Sequence, residues 1–209
     1  MKTILCYGDS NTWGCTPVTG VRYPKDVRWP GVLAAALGDK FEVVEEGLPG
    51  RTTVWDDPIM GWMNGKSHLL PCLGSHKPID LIIIFLGTND LKTYFSLPAY
   101  AIAQGAGKLV EIAMSSETGP NGNPPEVLLL APPPLGQLNA DRQEEFKDGW
   151  EKSMRFTELY KQVADLQGCH YYDTSRVIVS SNNDGIHLEK SEHLKLGLAL
   201  AEVVRDLFG

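Results

Sequence analysis

The chain lacks the residue patterns that tie a protein to metal, membrane or nucleic acid. Its four cysteines, Cys6, Cys15, Cys72 and Cys169, lie far apart and form no C-x-x-C pair. That spacing argues against a zinc ribbon and against a disulfide framework, so reduced thiols in a cytoplasmic protein are expected. There is no run of Lys and Arg: 19 basic side chains against 26 acidic ones give a net charge of −7. Nucleic acid and anionic membrane surfaces both ask for clustered cations, so neither is an expected partner. No apolar segment approaches the length of a membrane span, and Met1-Lys2 leads into the first apolar run without room for a signal peptide. A phosphate-binding G-x-x-x-x-G-K-[ST] loop and a G-x-G-x-x-G turn are also missing, which weakens a reading as a flavodoxin-like ligand-binding module.

What is present is an alternation of strands and helices. The 209 residues, 43% of them hydrophobic, suit one domain over residues 1–209 with a core on both faces of a sheet. Strands are predicted at Thr3–Tyr7, Phe41–Glu45, Asp80–Leu86, Glu126–Leu130 and His170–Asp173. The uninterrupted apolar run Leu81-Ile82-Ile83-Ile84-Phe85 fits a central parallel strand buried on both sides. Helices are predicted at Trp29–Leu37, Gly65–Cys72, Pro98–Ser115, Trp150–Leu166 and Lys190–Phe208. The charged stretch Leu138–Gly149 reads as a mobile insertion. This order implies an α/β fold: flavodoxin-like, three-layer α/β/α, with a five-stranded parallel sheet in the order 2-1-3-4-5.

In such a sheet the loops after the strands open on one edge, where ligands gather. They carry Ser10 after the first strand, Gly50 after the second, Asn89 after the third, and Asp184-Gly185-Ile186-His187 after the fifth. Acyl transfer at a serine needs a base beside the hydroxyl and a carboxylate that orients the imidazole. Asp184 and His187, three apart, share a face of any helical turn. The backbone amides of Ser10 and Gly50 and the side-chain amide of Asn89 are candidate oxyanion donors. Asp9, adjacent to Ser10, is read as a turn residue bonded to backbone, and Asp90 as an Asx-turn residue. Asn11, Trp13, Phe95 and Ile186 are candidate substrate-binding residues. His68, His76, His170 and His193 have no acid or nucleophile in matching context and are read as surface or packing residues.

The blocks Gly8-Asp9-Ser10, Gly50, Gly87-Thr88-Asn89-Asp90 and Asp184-Gly185-Ile186-His187 resemble the signature blocks of the SGNH (GDSL-type) serine hydrolases, in family order. A narrower similarity to the bacterial arylesterase/acyltransferase branch runs through Gly8–Gly14, Asp26–Trp29, Glu45–Leu48 with Arg51–Thr53, and Ala131–Leu135. The resemblance implies a serine esterase with Ser10 as nucleophile, His187 as base and acid, and Asp184 as its orienter. It implies an oxyanion hole of Ser10, Gly50 and Asn89. Short acyl esters are the expected substrate, with water or an alcohol as acceptor and no cofactor or metal. It also implies a homo-oligomer. Carbohydrate acetylesterase and lysophospholipase or thioesterase activities are the alternatives within the same fold.

Overall fold

A computed structural model describes residues 1–209. Strand β1 (Lys2–Gly8) runs between β2 (Phe41–Gly47) and β3 (Leu81–Phe85), and β4 (Glu126–Ala131) and β5 (His170–Asp173) follow outward from β3. All pairs are parallel and the order is β2-β1-β3-β4-β5, as the alternation implies. Because side chains alternate along a strand, the central strands feed two cores. Leu5, Tyr7, Ile82, Ile84, Val127 and Leu129 pack under α3 (Gly65–His76), α4 (Ala99–Met114) and α7 (Phe156–Gln167). Ile4, Cys6, Leu81, Ile83, Leu128 and Leu130 pack under α2 (Trp29–Leu37) and α8 (Lys190–Phe208). No helix is long and apolar enough to cross a membrane.

Three local readings are corrected by the structure. The Gly65 helix does not stop at Cys72; α3 continues past Pro71 to His76. Pro71 removes one backbone donor, but buried Leu69, Cys72 and Leu73 hold that turn against the sheet. The predicted helix from Trp150 is broken into α6 (Gly149–Ser153) and α7, with Met154 and Arg155 forming the bend. The stretch from Leu138 to Gly149 is not a loose insertion. It contains α5 (Ala140–Gln143), and Phe146, 2% exposed, anchors it in the larger core.

The first turn after β1 is a single turn of helix, α1 (Ser10–Trp13), whose N-cap is Asp9. Its seating depends on a small residue at the end of β2. A Cβ on Gly47 would lie 2.2 Å from the Trp13 backbone nitrogen, so only glycine lets the second strand pass this close beneath α1.

Candidate active site

At the carboxyl edge of the sheet, Ser10 and His187 meet across 177 residues of chain. Asp9 starts α1 by accepting the Asn11 N–H on its Oδ1 at 2.9 Å, which leaves the Ser10 hydroxyl at the first helical position. On the other side, the Asp184 carboxylate accepts the Ile186 and His187 backbone N–H groups at 2.9 and 3.0 Å and folds its own loop. Its second oxygen faces His187 Nδ1 at 2.5 Å, and His187 Nε2 stands 3.0 Å from Ser10 Oγ. A proton on Nδ1, held by the carboxylate, leaves Nε2 free to accept from the serine. All three side chains are buried, and they form one hydrogen-bonded chain.

The electrostatics follow from that chain. Burial, the largest single influence, opposes the charged form of His187, but the hydrogen bonds and charges of Asp184 and the Cys15 sulfur together outweigh it and draw the imidazole above its ordinary value. Burial likewise works to raise Asp184, and its bonds to His187 and the Ile186 amide reverse this and hold it below the usual carboxylate range. Asp9 goes the other way. Burial pushes it up to about 6, against the Asn11 amide bond and the charges of His187 and Arg51.

The three expected oxyanion donors come to the same cleft, lined in part by Ser10, Gly50 and Asn89. As the first residue of α1, Ser10 has no intrahelical partner for its N–H, and Gly50 N–H makes no hydrogen bond within the chain. Gly50 has φ +86°, a conformation that favours glycine. Asn89 is more committed: its amide donates to the Arg51 carbonyl at 3.1 Å and points at Asp9 Oδ2 at a long 3.4 Å. Arg51 braces this floor. Its buried guanidinium donates to the carbonyls of Gly8, at 2.9 Å, and of Glu46, and lies 4.1 Å over the Tyr7 ring. Asp90 forms no Asx-turn of its own. It accepts the Thr53 backbone N–H at 3.0 Å and the Thr53 hydroxyl at 2.5 Å, tying the Gly50 loop to the end of β3.

Of the residues expected to bind substrate, only Ile186 lines the cleft. Asn11 is 2% exposed and spent on backbone: its amide donates to the Ile186 carbonyl at 3.2 Å, and its oxygen accepts the Leu188 N–H at 3.1 Å. These two bonds straddle His187. Trp13 turns away, under the Arg22 guanidinium 5.2 Å from its ring, and Phe95 packs on Tyr94 with centroids 4.8 Å apart. Residues the sequence reading missed come from three other segments: Met60, then Lys92, then Arg142 of α5 with Glu145 and Phe146 after it. Lys92, 4% exposed, lies 3.4 Å from Glu145 and 3.7 Å from Asp57. No sequence spacing links these segments, so no motif could have announced them. A larger hollow, about 810 Å3, sits at the opposite edge of the sheet between Met1, Phe41 and Phe208. It holds no nucleophile beside a base; the Ser10–His187 pair lines a smaller cleft of about 180 Å3.

This hydrogen-bonded serine, histidine and aspartate stand within residues 6–193, which match the model of the GDSL-like lipase/acylhydrolase family. The chain belongs to that family. Among solved structures it is similar to Est24, a carbohydrate acetylesterase from Sinorhizobium meliloti, at 42% identity over 100% of both chains with a TM-score of 0.96. It is also similar to the aryl esterase of M. smegmatis, at 43% identity over 99% of this chain and 100% of that one, with a TM-score of 0.95. A carbohydrate acetylesterase family member from Sinorhizobium meliloti matches at 37% identity over 100% of both chains, with a TM-score of 0.95. No curated protein matches the chain. On family and structural likeness together, this GDSL-family protein is a carboxylic ester hydrolase.

Proposed function

We propose that ester hydrolysis by this chain runs through an acyl-enzyme on Ser10. The observation that carries the reading is the 3.0 Å contact of Ser10 Oγ with His187 Nε2, backed by Asp184. His187 takes the hydroxyl proton as Oγ attacks the ester carbonyl. The negative oxygen of the tetrahedral intermediate is met by the Ser10 and Gly50 amides and by Asn89, once its long contact to Asp9 is exchanged for the oxyanion. Each such donor lowers the barrier by roughly 3 kcal/mol. His187 then gives its proton to the leaving alkoxide. In the second half, water loses a proton to His187 and attacks the acyl carbon, and Ser10 recovers its proton as the acid departs.

The cleft size favours a short acyl group such as acetyl, and it does not favour a lysophospholipid chain. Lys92, Arg142 and Glu145 suit a polar leaving group, while Met60, Phe146 and Ile186 suit an aryl or alkyl one. Aryl acetates and acetylated sugars are therefore the two substrate classes to compare, as the aryl esterase and carbohydrate acetylesterase neighbours suggest. The same apolar walls support a second reading, transfer of the acyl group to an alcohol in place of water. A product ratio measured with added alcohol separates transfer from hydrolysis. The working state we propose is a cytoplasmic homo-oligomer. Trp62 at 93% exposure and Ile59 at 72%, both on the loop beside the cleft, support an assembled form. A monodisperse monomer by light scattering refutes it.

The decisive experiment is p-nitrophenyl acetate turnover by wild-type and Ser10→Ala protein. Turnover disappears in the variant if Ser10 is the nucleophile. Turnover retained by a folded, purified Ser10→Ala protein overturns the mechanism.

A further inference from the structure

Away from the ester cleft, α3 presents one face to the carboxyl end of β2. His68, Cys72 and His76 stand on it at intervals of four residues, so they fall one per turn along the same side. Glu46 of β2 faces them. One donor atom each from Glu46, His68 and Cys72 lies within 4.8 Å of the other two. His76 Nε2 is 2.8 Å from Glu46 Oε1. Cys72 is buried at the inner end, Glu46 is half-buried, and His68 is exposed at the outer end. None of these residues lines the cleft that holds Ser10.

From this grouping we propose that Glu46, His68 and Cys72 form a Zn2+ site, with His76 holding the Glu46 carboxylate in place. The donor set decides the metal class. A thiolate, an imidazole and a carboxylate together are a borderline-soft set that suits Zn2+, whereas Mg2+ and Ca2+ take oxygen ligands almost alone. Bonds of about 2.0–2.3 Å need the donors drawn together by roughly an ångström, and the exposed His68 side chain is free to rotate inward. The Cys72 thiol proton leaves to solvent on binding. Thiolate and carboxylate together then offset the two positive charges of the ion, so the loaded cluster is neutral beside Arg51, which donates to the Glu46 backbone carbonyl. A carboxylate ligand held by a hydrogen bond from a neighbour is the arrangement metal sites ordinarily have. The hydrogen bond of His76 with Glu46 accounts for two of the residues. It gives no role to His68, which makes no hydrogen bond of its own, while the buried Cys72 thiol bonds to the same carboxylate and is held protonated, chiefly by burial, until a cation displaces the proton. A bound ion ties α3 to β2 four residues before Gly50.

The test uses full-length protein stripped of metal, titrated with Zn2+ by calorimetry and with Co2+ as an optical probe. One equivalent of Zn2+ binds, and Co2+ gives a thiolate-to-metal charge-transfer band. The melting temperature rises by about 5–10 °C when free Zn2+ is ~100-fold over Kd. Cys72→Ser removes the band, and His68→Ala weakens Zn2+ binding by at least ~10-fold. Because His68 is exposed, its variant folds even if Cys72→Ser does not. Absence of one-equivalent binding overturns the site, as does Zn2+ affinity unchanged in His68→Ala or a Co2+ band that survives Cys72→Ser. All these readouts are independent of ester turnover, so failure here and failure of Ser10→Ala are told apart.

Discussion

Asn11 gives the sharpest test of how this site is held. Its side chain bonds the Ile186 carbonyl and the Leu188 N–H, one on each side of His187, and it sits directly after Ser10. Asn11→Ala leaves both backbone groups buried without a partner, at a cost of roughly 1–3 kcal/mol each. Taking about 3 kcal/mol for the pair, the melting temperature falls by about 6–12 °C for a chain of this size. The catalytic effect is separate. With the tie gone, His187 keeps Asp184, the Ser10 contact and the Ser181 N–H bond to its carbonyl but loses the brace on both flanking residues, and a displacement of about 1 Å costs on the order of 100-fold in rate. A residue that positions the base lowers kcat and leaves KM nearly unchanged, because substrate never touches it. A residue that binds substrate raises KM instead. Steady-state kinetics on p-nitrophenyl acetate, beside a thermal melt, therefore distinguish the two roles. If Asn11→Ala raises KM at unchanged kcat, or leaves both kcat and the melting temperature at wild-type values, the positioning argument is wrong.

Two further outcomes rest on buried charges. Asp184 draws His187 above its ordinary value, so wild-type kcat/KM rises with pH through an apparent pKa above the ~6.5 of free histidine. Asp184→Asn lowers kcat by roughly 10,000-fold and moves that limb to lower pH. A pH–rate profile with the limb unmoved contradicts the assigned pairing. Burial pushes Asp90 up to about 6, against the Thr53 hydrogen bonds, above the ~3.9 of an unfolded aspartate. The folded chain then binds the proton more tightly, so this group's contribution to stability falls as pH climbs from about 4 to about 6. In Asp90→Asn that fall, on the order of 2 kcal/mol, is missing. Urea midpoints of variant and wild type, compared at both ends of the window, read it directly, and a constant difference across the window refutes it.

Much of the fold was legible because each strand carries its own signal. The Leu81–Phe85 run is apolar without alternation, which is what a strand covered on both faces requires, and the short strands fell within a residue or two of their positions. The misreadings came where tertiary contacts overrode local rules. The sequence suggests a helix only from Gly65 to Cys72, yet α3 runs on to His76 because Leu69, Cys72 and Leu73 are packed. The charged composition from Leu138 to Gly149 reads as a loose loop, yet a single buried Phe146 fixes it as a wall of the cleft.

Ser10, Asp184 and His187 stood out as candidates in the sequence because acyl transfer uses those residue types, and the fold brings them into one hydrogen-bonded chain at the carboxyl edge of the sheet. The sequence also determined the topology, since five strand–helix alternations with right-handed crossovers leave few ways to build a sheet. Only the tertiary structure decided what surrounds them. It turned Asn11 from a substrate contact into a brace and moved Trp13 and Phe95 out of the cleft. It brought in Lys92, Arg142, Glu145 and Met60, and set Glu46 against a helix face of His and Cys. Those pairings join residues tens to more than a hundred positions apart through side chains alone. No periodicity along the chain records them; they exist only once the core has packed.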